Sequence, residues 1–377
     1  MRIGIDATTI YTSRPTGLGV YSINIINELA KLHDDLVVWT VDDSSLKIAP
    51  AKIRKVMRPF RFLGNHLFQL RPFWVEFVLP KLLAREKIDV LYTTIPNGLL
   101  HSPVPHVVTV HDLIPLTFPE DAPRSVRWNF KHRLPGILRQ AERIIAVSPH
   151  TKQDVIDHYR IPPEKIHIVS EGYELNHFRP DVDLAVLDNY GLLPKKYVLY
   201  VGNSSARKNI LRLIDAFNMV KNKIPHRLVL VGTKQPNERK ALIEKISRYN
   251  LTNRVCLLDY IPYCDLPALY AGADLFAFLS LYEGFGLPVL EAMACGAPVL
   301  TSCTSSLPDV VGDAGLLADP LSVSDIADKL QSLLLGPKKK KVATAAGLER
   351  CKQFRWSSAA KEIYGILQDV PESLSNF

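Results

Sequence analysis

Leu275-Phe276-Ala277-Phe278-Leu279-Ser280-Leu281-Tyr282-Glu283-Gly284-Phe285-Gly286-Leu287-Pro288-Val289-Leu290-Glu291 reads as a buried strand, a glycine-bearing loop and the start of a helix. The apolar run at 275–280 has the length and composition of a strand covered on both faces. Pro288 suits the first helical position, where its missing N–H costs nothing, and Gly296 suits the stop. Glu283 therefore sits just past the carboxyl end of a strand, and Glu291 in the first turns of the helix that follows. Between them the backbone N–H groups of Phe285, Gly286 and Leu287 would leave a positive helix end, a place for an anion. Two carboxylates able to bind hydroxyls flank it, so a ligand carrying both phosphates and sugar hydroxyls fits best.

The rest of the chain builds outward from this unit. At 377 residues it is comfortable for two domains, and 47% hydrophobic with 22% charged residues is ordinary for a globular protein. No stretch approaches the roughly 20 apolar residues of a membrane span. The start, Met1-Arg2-Ile3-Gly4-Ile5-Asp6, lacks the pattern of a signal peptide. Five cysteines (256, 264, 295, 303 and 351), with no C-x-x-C pair, point to reduced thiols in a cytosolic protein, without a disulfide framework or zinc site. The net charge is +8, and residues 52–87 hold nine Lys/Arg against two acids, interleaved with Phe60, Phe62, Phe68, Phe73 and Trp74. That mixture fits an anionic membrane surface or a solvated face over an ordinary core. Nucleic acid ranks below both, since no recognised motif accompanies the charge.

Strand-like and helix-like runs alternate, as a parallel α/β architecture demands. Strands are expected at 2–6, 37–41, 90–92, 106–110, 143–147 and 167–170, then at 197–201, 227–231, 254–258, 275–279, 299–301 and 315–318. Helical periodicity is clear at 20–32, 209–221, 238–249 and 322–335. Each half opens with a glycine-containing strand-to-helix turn, Gly17-Leu18-Gly19 and Gly202-Asn203-Ser204-Ser205. The boundary falls in the polar stretch 178–183, whose Asp181-x-Asp183 pair reads as a solvated turn.

In open parallel sheets ligands bind outside the carboxyl ends of the strands. The residues of interest lie just after strands: Gly17 and Gly19, His111-Asp112, Glu171-Gly172, Gly202, Gly232, Asp259 and Glu283. Two such edges facing each other would make an interdomain cleft. Arg207-Lys208 precedes the helix expected from Asn209, where two cations oppose the macrodipole at roughly 0.3–1 kcal/mol each unless an anion offsets them. A bound diphosphate would supply that anion; the plainer reading is a solvated surface pair. His111 is either a satisfied structural histidine or a sugar contact, and its place beside Asp112 on the ligand edge favours the latter. Ser148 reads as a helix N-cap.

These residues carry a family resemblance. The stretch from Glu283 to Glu291 and on through Ala-Met-Ala-Cys-Gly-Ala-Pro-Val resembles the glutamate–seven–glutamate element of the family 4 retaining glycosyltransferases. Tyr200-Val201-Gly202-Asn203 through Arg207-Lys208-Asn209 resembles their donor-phosphate turn. The Thr109-Val110-His111-Asp112 segment, Gly17-Leu18-Gly19, Ala146-Val147-Ser148 with Thr151-Lys152, and Phe354-Arg355-Trp356 also match. The resemblance implies an α/β GT-B fold, two Rossmann-like doubly wound domains facing each other across a cleft. Residues 1–178 would form the acceptor domain, completed by a C-terminal helix at 357–377, and 179–356 the donor domain. It further implies no metal and no cofactor beyond a nucleotide-diphosphate sugar as donor. Arg207 and Lys208 would bind the diphosphate, with Gly202 and Asn203 in the same turn. The amides of Phe285, Gly286 and Leu287 would help hold phosphates and sugar, and Gly17–Gly19 would close on the phosphate. Glu283 would contact the transferred sugar, Glu291 the ribose, residues around Tyr260 and Ile261 the base, and His111 the sugar near the reacting carbon. Asn203 departs from the arginine common after the glycine, and Glu171-Gly172 from the common Asn-Gly, which leaves the role of Glu171 open.

The expected chemistry is retaining hexosyl transfer by front-face substitution, with GDP-mannose the favoured donor and UDP- or dTDP-sugars the alternatives. The acceptor would be a glycan or lipid-linked glycan of bacterial polysaccharide or O-antigen assembly. It would be met in the cytoplasm, with the protein peripheral on the inner face of the membrane through 52–87. An NAD-dependent oxidoreductase competes poorly: Gly17-x-Gly19-x-x-Ser22 lies eleven residues beyond Asp6 and ends in serine. A non-catalytic sugar-nucleotide binder on the same fold is the other alternative.

Overall fold

The computed structural model describes residues 1–8, 10, 17–56, 73–233 and 236–371. The chain divides into two compact units, Met1–Gly172 with Trp356–Phe377, and Tyr173–Arg355. The sequence reading had put this division a few residues later, near 178.

In the first unit the strands are β1 (Ile3–Ala7), β2 (Leu36–Thr40), β3 (Ile53–Lys55), β4 (Val90–Thr93), β5 (His106–Val110), β6 (Arg143–Ala146) and β7 (Ile166–Ile168). They form a parallel sheet in the order β3-β2-β1-β4-β5-β6-β7. The second unit has β8 (Tyr197–Val201), β9 (Arg227–Val231), β10 (Val255–Leu258), β11 (Leu275–Phe278), β12 (Val299–Ser302) and β13 (Leu316–Ala318), ordered β10-β9-β8-β11-β12-β13. Both are doubly wound. The strand order reverses between β1 and β4 in one sheet and between β8 and β11 in the other, the switch points where such folds take ligands.

The central strands are buried on both faces, which is why they read as continuous Val/Ile/Leu/Phe runs rather than alternating ones. Helices supply the covering layers. Helix Ile210–Val220 buries Ile210, Leu213, Ile214, Phe217 and Val220, one stripe at helical spacing, and packs against helix Val323–Leu334. Each such side chain contributes roughly 1.5–3 kcal/mol of burial. Truncating Phe217 to Ala would cost about 3–5 kcal/mol.

The short edge strand β3 was not expected. It lies inside the basic 52–87 stretch, where three residues between Lys52 and Val56 carry little strand signal. The same stretch also feeds the core. Trp74, Val75, Leu79 and Leu83 pack with Trp39 and Leu91, so these side chains face the core rather than solvent or a membrane. Phe60, Phe62 and Phe68 lie outside the described residues. The C-terminal helix Trp356–Gln368 packs on helix Gly17–Leu32: Trp356 meets Tyr21 edge-on at 5.8 Å, and the Tyr364 hydroxyl lies 3.2 Å from His33 Nδ1. Ser148 caps helix Pro149–Tyr159, accepting the Thr151 N–H at 3.1 Å. Among the described residues no helix is long and apolar enough to cross a membrane.

Candidate active site

The second unit gathers its candidates on two loops, one after β8 and one after the adjacent strand β11. Gly202 ends β8 with φ +157°, and a Cβ there would lie 2.6 Å from the Tyr200 hydroxyl, so the turn needs glycine. That hydroxyl donates to the Asn203 carbonyl at 2.7 Å. The chain then makes a 3₁₀ turn, Ala206–Lys208, closed by Asn209 in the left-handed conformation (φ 61°). Asn209 is buried, and its side-chain N–H groups donate to the carbonyls of Leu279 (3.0 Å) and Pro320 (2.7 Å). This ties the turn to the exit of β11. The Leu281 N–H donates to the Arg207 carbonyl at 2.8 Å, completing the link.

Three charged side chains meet there. Lys208 Nζ lies 2.6 Å from Glu283 Oε1, and Arg207 approaches the same oxygen at 3.2 Å while donating to the Tyr282 carbonyl at 2.5 Å. Lys208 also sits 4.9 Å from the centre of the Phe278 ring. Burial would push the Glu283 carboxyl up, but Lys208 and Arg207 outweigh it and hold it below the usual carboxylate range. The pair expected to be offset by a bound diphosphate is thus offset, in this structure, by the chain's own carboxylate. Nor are the cations a solvated surface pair, since Arg207 is 6% exposed. Both cations thus converge on one carboxylate oxygen.

The Glu283 loop is clamped from β12. The Glu283 N–H donates to Ser305 Oγ at 3.0 Å, and Ser306 Oγ lies within hydrogen-bond distance of the Glu283 and Phe285 carbonyls (2.9 and 2.6 Å). Phe285 packs edge-on against Phe354. Gly286 caps helix Leu287–Ala294 with φ +129°, and a Cβ there would come within 2.8 Å of Leu307, so only glycine lets the chain enter the helix at this angle. Pro288 lies in the first turn, and Gly296, with φ +75°, follows the last.

Glu291 projects elsewhere. It accepts from the Tyr270 hydroxyl at 2.9 Å, and burial pushes its carboxyl up to about 8, with Glu174 adding to the rise. The Tyr263 hydroxyl bonds Glu174 at 3.0 Å, so two carboxylates and two tyrosines share this corner. Of the residues expected near a base, Tyr260 is 53% exposed and Ile261 is buried.

In the first unit His111, just past β5, is buried. Its Nδ1 lies 3.1 Å from Glu171 Oε1 and its Nε2 2.8 Å from the Thr94 carbonyl. Tyr21 from helix Gly17–Leu32 meets the imidazole edge-on at 4.5 Å. Both ring nitrogens are therefore engaged within the unit, and a direct sugar contact through either would require exchanging a partner. Gly17, Leu18 and Gly19 form the first turn of helix Gly17–Leu32 rather than the loop before it. None has a positive φ, so they do not make the strand-to-helix turn expected of them.

Sequence reasoning passed over Asn209 as an anchor, Ser305 and Ser306, Thr94, Tyr270 and the partner of Glu171. Thr94 and the two serines follow the carboxyl ends of β4 and β12, so the strand-end rule could have found them. Tyr270 carried no local signal.

Comparison with known proteins gives the family. Residues 15–177 match the description Glycosyltransferase Family 4, and residues 190–350 match Glycosyl transferases group 1. The chain is 35% identical over 363 residues to the O-antigen chain mannosyltransferase B of Escherichia coli, covering 92% of this chain and 94% of that one. The chain belongs to glycosyltransferase family 4. A second Escherichia coli relative, the serotype-specific mannosyltransferase WbdA, is 30% identical over 263 residues, 67% of this glycosyltransferase and 32% of the longer protein. Among solved structures, a sucrose-phosphate synthase from Thermosynechococcus elongatus superposes with a TM-score of 0.75 at 21% identity, covering 97% of this chain and 98% of that one. The Anabaena protein HepE, in complex with UDP and glucose, gives 0.74 at 22%, covering 98% and 99%. The glycosyltransferase thus has the two Rossmann-like domains of GT-B enzymes.

Proposed function

We propose that this glycosyltransferase moves mannose from GDP-mannose to a glycan or lipid-linked glycan acceptor of bacterial polysaccharide assembly, retaining the anomeric configuration and using no metal. The Arg207–Lys208–Glu283 cluster beside the amino end of helix Leu287–Ala294 carries this reading. Its two cations and the helix end meet charge as it develops on a departing diphosphate. Similarity to two mannosyltransferases supports the choice of sugar. Thermal-shift screening of GDP-, UDP-, dTDP- and ADP-sugars tests the donor: GDP-mannose should raise Tm by mass action. A rise with another sugar nucleotide and none with GDP-mannose would overturn it.

The reaction proceeds by front-face substitution. The bond from the anomeric carbon to the leaving phosphate oxygen breaks on the face where the acceptor oxygen bonds, and that phosphate takes the acceptor's proton. A double displacement needs a free carboxylate at the anomeric carbon. Glu283 is a poor nucleophile because two cations hold the same oxygen. Glu283 orients sugar hydroxyls and Glu291 the ribose. Gly202, Asn203, Phe285, Gly286 and Leu287 line the phosphate path, with Tyr260 and Ile261 toward the base. Proton NMR of the product's anomeric centre reads the configuration directly.

An anionic membrane surface presents the acceptor from the cytoplasmic side. Phe73 and Phe77 are 62% and 60% exposed and stack on each other, and Trp128 is 58% exposed. An ion pair between Glu76 and Arg133 joins their two segments. Lys81, Arg124 and Lys131, exposed on the same or adjoining helices, add positive charge. Salt-sensitive flotation with phosphatidylglycerol vesicles is expected; its absence at low salt would remove this assignment.

A further inference from the structure

Glu171 stands where its role could not be read from the sequence, and the structure gives it a partner. It follows β7, is 5% exposed, and places Oε1 3.1 Å from Nδ1 of His111, a residue sixty positions earlier. The other ring nitrogen faces the Thr94 carbonyl at 2.8 Å. A carbonyl oxygen and a carboxylate both accept. A neutral imidazole carries one N–H, so it would leave one ring lone pair facing an oxygen inside a buried site. Protonation at both nitrogens satisfies all four groups.

The surroundings hold the ring in that arrangement. Tyr21 packs edge-on against the imidazole, and its hydroxyl lies 3.1 Å from the Tyr92 hydroxyl, which lies 3.0 Å from Thr109 Oγ1. Thr94, whose carbonyl takes Nε2, is itself fixed by the Ser22 hydroxyl at 2.7 Å. Thr151 Oγ1 donates to the His111 carbonyl at 3.0 Å, anchoring the backbone from helix Pro149–Tyr159. The titratable and charged groups of the described residues that act on the ring are Glu171, Asp112 and Tyr21, and Tyr21 stays neutral because burial holds its proton.

We propose that Glu171 is a positioning residue for sugar transfer: it holds His111 as a doubly protonated imidazolium, so that His111 presents a fixed positive charge and cannot act as a general base. This rests on the transferase reading above and deepens it, since a histidine beside reacting groups is the usual candidate for taking the acceptor's proton. Here the ring has no free lone pair, which leaves that proton to the departing phosphate. Burial alone would disfavour the cation, but the Glu171 carboxylate, the Thr94 carbonyl and Asp112 outweigh it and raise the imidazole above its ordinary value.

The test reads the ring directly, in the full chain and without substrate. Long-range ¹⁵N–¹H spectra of ring-labelled protein, assigned with His111→Gln, should show both His111 nitrogens protonated at neutral pH. In Glu171→Gln the His111 titration should move down by about one pH unit or more, and Glu171→Asp should restore part of it. The alkaline limb of kcat/KM should move the same way in Glu171→Gln, a change that a merely structural role would not produce. A neutral His111 in the wild type at pH 7 would overturn the proposal. So would a titration that Glu171→Gln leaves in place, or an alkaline limb that stays put while the ring titration moves. The spectra need no donor, so failure of GDP-mannose in the thermal screen would sink the donor assignment and leave this result standing.

Discussion

The two units share a doubly wound topology and place their candidate residues beyond the carboxyl ends of strands, yet they hold charge in different ways. In the second unit a carboxylate is gripped by a lysine and an arginine, groups that stay ionised across the physiological range. In the first unit the carboxyl edge carries a histidine held between a glutamate and a backbone carbonyl. Topology alone therefore fixes where chemistry can sit, and the side chains decide whether it is permanent or tunable. A site built from Arg207 and Lys208 would meet an anionic ligand with the same charge at any working pH. The charge at His111 depends instead on the groups around the ring, Glu171 foremost among those that raise it.

The largest expected effects probe the permanent side of that comparison. Lys208→Ala should reduce transfer about 10²–10³-fold, the cost of losing one preorganised group at developing charge. Glu283→Ala should reduce it at least as far and also destabilise the fold by about 3–5 kcal/mol, since buried Arg207 and half-buried Lys208 lose their shared carboxylate. Steady-state rates and urea unfolding separate the two losses; normal turnover in either purified variant would remove the cluster from the active site. Next comes the backbone that aims these groups. Gly286→Ala forces a side chain into φ +129° and against Leu307, at a cost of about 1–3 kcal/mol, visible as a lowered urea midpoint.

A pH-dependent effect sharpens the contrast, because Glu291 is a titratable group in the otherwise permanent unit. Its carboxyl is raised from 4.5 to about 8, so the native state binds more protons than the unfolded chain between those values. That stabilisation is complete below about pH 4.5 and is lost as pH rises toward 8. Glu291→Gln should therefore lose less stability than wild type between pH 5 and 8, measured by urea midpoints. Equal slopes would show that Glu291 is ionised throughout.

Much of this was legible in the chain. The glutamate pair, the Arg-Lys-Asn turn and the central strands follow from short-range pattern, because buried parallel strands and helix starts write themselves into neighbouring residues. The edge strand β3 was illegible because three residues between basic neighbours carry no period. The core role of Trp74 was hidden by the charge around it. The first turn of helix Gly17–Leu32 was misplaced since glycine at a helix start looks like glycine in a loop.

The sequence by itself determined two doubly wound units, their strand-end sites and the chemical types at those sites, all set by local periodicity and spacing. Only the tertiary structure decided who partners whom. That Glu283 satisfies both cations 75 and 76 positions away, that Glu171 holds His111, and that Glu291 turns to Tyr270 are facts of burial. Once water is excluded, every charged or polar group must find a partner through space, and nothing in its immediate sequence names which one.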